Sequence, residues 1–287
     1  MHGGNRLGLR AGGMSPPAQG DPMTSFDEAV TLHALEGNRW RGHADRRHES
    51  ISGMFGGWTA ATLLQAVLNS ASAAGSTATP AALTVHFVDK ITPGEDVVLT
   101  VARLGGGRSL AFWRAELIPA DGGRVLAHAV VTLVNRRESD GHVESRMPEA
   151  PDPSSLREFH APGSQGQQTL IRPIWGHPPT KTASTSSAAW VQLVEPRPLD
   201  HTLLAYLADQ FAPRSFYWSD EPRPSATVTL SVYFHATVDE LAAAGEDYVL
   251  NEAIGTRGEQ STSGAQLRMW SRAGALLATS EQLCWYR

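Results

Sequence analysis

The sequence predicts an α+β protein of two similar halves in tandem, each a buried helix followed by an antiparallel meander of about four strands. Three observations predict it. At 287 residues the chain is long enough for two domains of ordinary size. One order of elements occurs twice, at an offset of about 150 residues, the size of a typical domain. After each of two apolar helical stretches comes a segment with apolar residues at every second position.

Residues 1–23 are rich in Gly, Arg, Ser and Pro and read as a disordered N-terminal segment, with Met23 a nearer candidate start. The first half spans 24–137. Phe55-Gly56-Gly57 leads into Trp58–Ala74, an Ala/Leu/Val stretch without proline that is apolar nearly all round, so a helix enclosed by protein is expected. Ala81–Lys90 follows as a strand with Leu83, Val85 and Phe87 on one face. A Gly-rich turn at Leu104–Ser109 and a second at Asp121–Ala127 punctuate the remaining strands. Residues 138–168, with Pro148, Pro151, Pro153 and Pro162, read as a linker. The second half, 169–287, repeats the order. Asp200 is a plausible N-cap for a helix over Asp200–Phe211, with Pro213 just past its end. Ser225–His235 then places Val228, Leu230, Val232 and Phe234 on one face. Turns are expected at Ile254–Gly258 and within Ser271–Ala278. One long helix wrapped by a curved antiparallel sheet is the hot-dog arrangement, here in tandem.

Bulk properties exclude several classes. A net charge of −5 gives no general attraction to nucleic acid or anionic membranes. No run approaches the ~18 apolar residues of a membrane span, and residues 1–22 carry no apolar signal region. The single cysteine, Cys284, rules out an intrachain disulfide and suits the cytoplasm; in a strand-like run it reads as a buried structural thiol. Arg39, Arg41, Arg46 and Arg47, with His43 and His48 between them, form a basic cluster. It is either a solvated loop or a dock for substrate phosphates. Phosphate-binding loops and nucleophile elbows are missing, and Gly105-Gly106-Gly107 lies between two strands. The eleven histidines form no metal motif, so neither a metal nor a cofactor is expected.

Hydrolysis without an activated Ser, Cys or metal needs a water activated by a carboxylate. Asp209 is the candidate, the one acid in its helix and unfavourably placed in a last turn against the negative dipole end. Thr227 and Gln282 offer a hydroxyl and an amide that can hold a water without charge. Taken singly, each of the three also fits an ordinary solvated position. Backbone N–H groups where the first helix begins, Gly57 foremost, could supply an oxyanion site.

Four segments together resemble the acyl-CoA thioesterase II family over about Thr24 to Arg287. They are Met54-Phe55-Gly56-Gly57, Ala205-Tyr206-Leu207-Ala208-Asp209, Ala226-Thr227-Val228 with Ser231–His235, and Leu277-Ala278-Thr279-Ser280-Glu281-Gln282. The resemblance implies a double hot-dog fold and an acyl-CoA substrate, with Asp209, Thr227 and Gln282 orienting a water onto the thioester. A homodimer or larger homo-oligomer is expected by analogy. Two positions depart from the family, Trp58 and Thr229, and the loop between Asp209 and Thr227 is short. With Gln65, Ala66 and Val67 where the first half would need its acid, one active site per chain is expected. Two rivals are an enoyl-CoA hydratase or dehydratase of the same fold and a non-catalytic acyl-thioester binder. Strict alternation turns Thr227 away from the face of Val228 and Leu230, so a twist, a bulge or a covering domain is required for it to meet Asp209.

Overall fold

The computed structural model describes residues 23–177 and 181–287; the expected disordered segment, Met23 excepted, lies outside the described residues. Helix α1 (Ser25–Ala29) is started by a capping box on Thr24 and Asp27. The first half continues with β1 (His33–Leu35), β2 (Arg39–His43), the small hairpin β3 (Glu49–Ser50) and β4 (Gly53–Met54), and helix α2 (Gly56–Ala73). Strands β5 (Thr79–Phe87), β6 (Asp96–Gly106), β7 (Leu110–Pro119) and β8 (Ala127–Val134) complete it. The second half comprises β9 (Thr169–Trp175), β10 (Ser187–Leu193), helix α3 (His201–Leu207) and β11 (Ser225–Phe234). It ends with helix α4 (Val238–Ala244), β12 (Val249–Glu259), β13 (Thr262–Ser271) and β14 (Leu276–Tyr286).

These strands, β3 and β4 apart, form one antiparallel sheet in the order β1-β2-β6-β7-β8-β5-β11-β14-β13-β12-β10-β9. Read outward from the central β5–β11 pair, both directions give the same sequence of elements, so the repeat seen in the sequence is also a repeat in topology. The two halves share a register in which Leu230 faces Val85 and Val232 faces Leu83.

Helix α2 is buried nearly all round because it has protein on every side. Trp58, Leu63, Leu64 and Val67 are fully enclosed. Each such side chain contributes roughly 1.5–3 kcal/mol on leaving water. The Trp58 indole N–H donates to the Ala29 carbonyl at 2.9 Å, which ties α2 to α1 and accounts for the tryptophan at this position. Helix α3 packs against α2, with the Thr202 hydroxyl donating to Gln65 Oε1 at 3.1 Å. A single apolar core runs through both halves. Among the described residues no helix is long and apolar enough to cross a membrane.

Three local expectations change. Segment 138–168 is packed from Met147 onward, not a free spacer throughout. Trp190 and Trp270 project to the face of the second half opposite the main core, where Met147, Ala150 and Leu156 cover them. The Trp190 indole donates to the Pro151 carbonyl at 2.9 Å. Exposed indoles on a sheet face need such a cover. The expected turn at Ile254–Gly258 lies inside β12; the hairpin instead turns at Gln260 and Ser261, with φ of 49° and 64°. Gly258 leaves room for Trp218, whose ring would lie 2.4 Å from a β-carbon there. Finally, α3 stops at Leu207, two residues before Asp209.

Candidate active site

The early end of α3 sets the place of Asp209. Past Leu207 the chain tightens: the Asp209 N–H donates to the Tyr206 carbonyl and the Gln210 N–H to the Leu207 carbonyl. Asn251 of β12 reaches across to this turn, its amide donating to the Leu207 carbonyl at 2.9 Å and more weakly to that of Gln210 at 3.4 Å. Asp209 thus lies just past the helix end, which corrects its expected place within a last turn.

The carboxylate arrives at the opposite kind of helix end, the positive N-terminus of α2. A β-carbon on Gly56 would lie 2.5 Å from Asp209 Oδ2 and 3.3 Å from the Phe87 ring. On Gly57 it would meet the Tyr206 carbonyl at 2.3 Å. The adjacent glycines are therefore what allows α2 and the turn after α3 to close on one another. The Gly57 N–H is directed at the Asp209 carboxylate. Gly57, the expected oxyanion donor, thus lies beside this carboxylate.

Thr227 reaches this place through a bulge. Thr227 pairs with Cys284 and Thr229 with Leu283, leaving Val228 as an extra residue in β11. The inserted residue shifts the parity of the strand: Thr227 lies on the inner side with Leu230, and Val228 turns outward, 36% exposed. Val228 therefore leaves the apolar face that alternation assigned it. Deleting Val228 would restore plain alternation with Thr227 still opposite Cys284 and on the side of Leu230, so thioester hydrolysis is expected to stay within about 10-fold of wild type. Circular dichroism should show the sheet retained.

Gln282 lies one position along β14, across from Leu230 and beside Thr227. Its Nε2 donates to Asp209 Oδ1 at 2.5 Å and to Thr227 Oγ1 at 3.1 Å. The three residues singled out from the sequence are thus one hydrogen-bonded group. Burial pushes the Asp209 carboxyl up to about 7, against the Gln282 amide and the Gly57 N–H, which hold it down. A carboxylate poised near neutrality is suited to take a proton from water.

The matching place in the first half is chemically blank. A register shift between Pro80 and Ala82 puts a similar irregularity in β5, so Pro80 corresponds to Thr227 and Val131, across from Leu83, to Gln282. Gln65, bound by Thr202 at the N-terminus of α3, stands where Asp209 stands at the N-terminus of α2. None of the three can act as a base.

The basic cluster is divided. Arg47 pairs with Glu28 at 2.7 Å and Asp45 at 2.5 Å, and His43 with Asp96 at 2.8 Å. His48 is buried, its Nδ1 3.0 Å from the Tyr206 hydroxyl. Arg39 and Arg41 are exposed on β2. Among the described residues no group of three or more His, Cys, Asp or Glu is placed to hold a metal.

Comparison with known proteins identifies the family. Residues 44–134 match the family model described as the acyl-CoA thioesterase N-terminal domain. Residues 139–286 match the acyl-CoA thioesterase C-terminal domain. A conserved hot-dog protein of unknown function from Alicyclobacillus acidocaldarius is 30% identical, with 93% of this chain and 99% of that one covered at a TM-score of 0.86. An acyl-CoA thioesterase II from Mycobacterium marinum is 20% identical, covering 92% and 98% at a TM-score of 0.72. The TesB protein of Mycobacterium avium subspecies paratuberculosis is 21% identical, covering 91% and 98%, also at 0.72. No curated protein matches the chain. The fold is a hot-dog fold. The chain belongs to the acyl-CoA thioesterase family and is a thioester hydrolase.

Sequence reasoning missed Gly56, Asn251 and Phe87. The Gly-Gly pair was a visible signal for the first. Asn251 gave none, since its role depends on where α3 ends.

Proposed function

We propose that the protein hydrolyses a fatty or related acyl-CoA to the free acid and coenzyme A. The unit would be a tandem double hot-dog, 24–137 and 169–287, joined by the linker 138–168. The observation that carries the reading is the Asp209–Gln282–Thr227 group closed against the N-terminus of α2.

In this reading Asp209 accepts a proton from a water held by Thr227 and Gln282. The water oxygen attacks the thioester carbonyl carbon, negative charge grows on the carbonyl oxygen, and the carbon–sulfur bond then breaks. Asp209 returns its proton to the departing thiolate. The positive end of α2, Gly57 included, steadies the oxyanion, so the first half supplies the polarising backbone and the second the side chains. Arg39 and Arg41 remain available for coenzyme A phosphates. Enoyl hydration is disfavoured because the residues after Asp209 are Gln210, Phe211, Ala212, Pro213 and Arg214, with no histidine.

Assignment to the reducing cytoplasm is supported by the lone, buried Cys284. Exposed Val228, Tyr233, Leu283 and Trp285 on neighbouring β11 and β14 support a homo-oligomer. A thiol-release assay from acetyl- to palmitoyl-CoA tests the reaction. Release with at least one chain length is expected, and tight binding with no release from any of them would overturn it in favour of a non-catalytic binder.

A further inference from the structure

Cys284 plays no part in the chemistry above, yet it touches the group that performs it. Gln282 and Cys284 are two residues apart on β14 and project to the same side, so the thiol lies beside the amide. Cys284 Sγ lies 3.1 Å from Gln282 Oε1 and 4.0 Å from Thr227 Oγ1. Both Cys284 and Gln282 are buried, 6% and 7% exposed.

A primary amide has two faces, and chemistry decides which one meets Asp209. An ionised carboxylate only accepts hydrogen bonds, so Nε2 must face Asp209 and Oε1 must face away. Facing away, Oε1 is buried and needs a donor. The Cys284 S–H is that donor. We propose that Cys284 is a positioning residue of the thioesterase, fixing the orientation of the Gln282 amide so that both of its N–H groups serve Asp209 and Thr227. The inference rests on the reading that Gln282 holds the attacking water.

The constraint matters because the reverse orientation has its own support. Once Asp209 is protonated, its O–H can donate to a flipped Oε1, and a carboxyl pushed up to about 7 is often protonated near neutrality. Without the thiol the flipped amide and the protonated acid stabilise each other, and the base is lost to the reaction. Burial keeps the thiol itself a donor, pushing it up to about 12, with the charge of Asp209 acting in the same direction.

The test compares C284A, C284V and C284S with wild type by thiol release over pH 5–9, with Q282A beside them. C284A and C284V should lose about 3–10-fold in kcat, the worth of one hydrogen bond, with KM nearly unchanged. Their acidic limb should move to higher pH. C284S, which keeps a donor, should stay near wild type with the limb unmoved. C284V fills the volume without donating, so it decides the matter should C284A fold poorly. Wild-type kcat in C284V, or a loss in C284S equal to that in C284A, would overturn the proposal. Loss in Q282A with full activity in C284V would sink the role of Cys284 alone. Unchanged hydrolysis in Q282A would sink the water-holding role of Gln282, and this inference with it.

Discussion

Asp209→Asn is expected to lower kcat for acyl-CoA hydrolysis by about 10²–10⁴-fold while making the protein more stable at neutral pH. The loss follows from removing the base; the gain follows from its pKa. In the folded protein burial holds the carboxyl at about 7, against an ordinary value of 3.8. The folded state therefore binds the proton more tightly, and stability falls as pH rises from about 4 through 7, then levels. By ~1.4 kcal/mol per unit the cost approaches ~4 kcal/mol above pH 8, an upper figure because Asp209 keeps some contact with solvent. Asparagine carries no such cost. The variant should melt several degrees above wild type at pH 8, and the two should converge near pH 4. Equal melting at pH 8 would show that the carboxylate is not desolvated.

The second large effect is a contrast between neighbours. In Gly56→Ala the new methyl lies 2.5 Å from Asp209 Oδ2, the end of a side chain that can swing aside. The fold should survive and the base should not stay in place, so a fall in kcat of about 10²-fold is expected with a near-wild-type melting point. In Gly57→Ala the methyl meets the Tyr206 carbonyl at 2.3 Å and the Phe55 ring at 2.4 Å. Backbone cannot yield there without parting α2 from α3, so a stability loss of about 1–3 kcal/mol is expected as well. Urea titrations beside thiol-release rates separate the two. Equal stability losses in both variants would mean that Gly56 is only a packing glycine.

Period-two patterning and a recurring order of elements made the fold legible, because a sheet with one covered face writes itself into alternation. What alternation could not show was the bulge at Val228. One added residue changes no composition, yet it inverts which side Thr227 faces. The end of α3 was misplaced for a related reason: Ala208 to Phe211 suit a helix, and Asn251, remote in sequence, takes the carbonyl that another turn would have used. Asp209 is legible as an acid badly placed in its helix, whereas Thr227 and Gln282 stand out from ordinary surface residues only through the resemblance. Their common feature is the double-glycine start of α2, where space for a carboxylate exists because two side chains do not.

Asp209, raised toward neutrality by burial, is the proposed base that activates water. The pH dependence of kcat/KM for a good acyl-CoA substrate tests this role most directly. A limb rising tenfold per pH unit to an apparent pKa near 7, with a plateau above, is the expected result. A profile flat from pH 5 to 8, or a limb near 4, would contradict it.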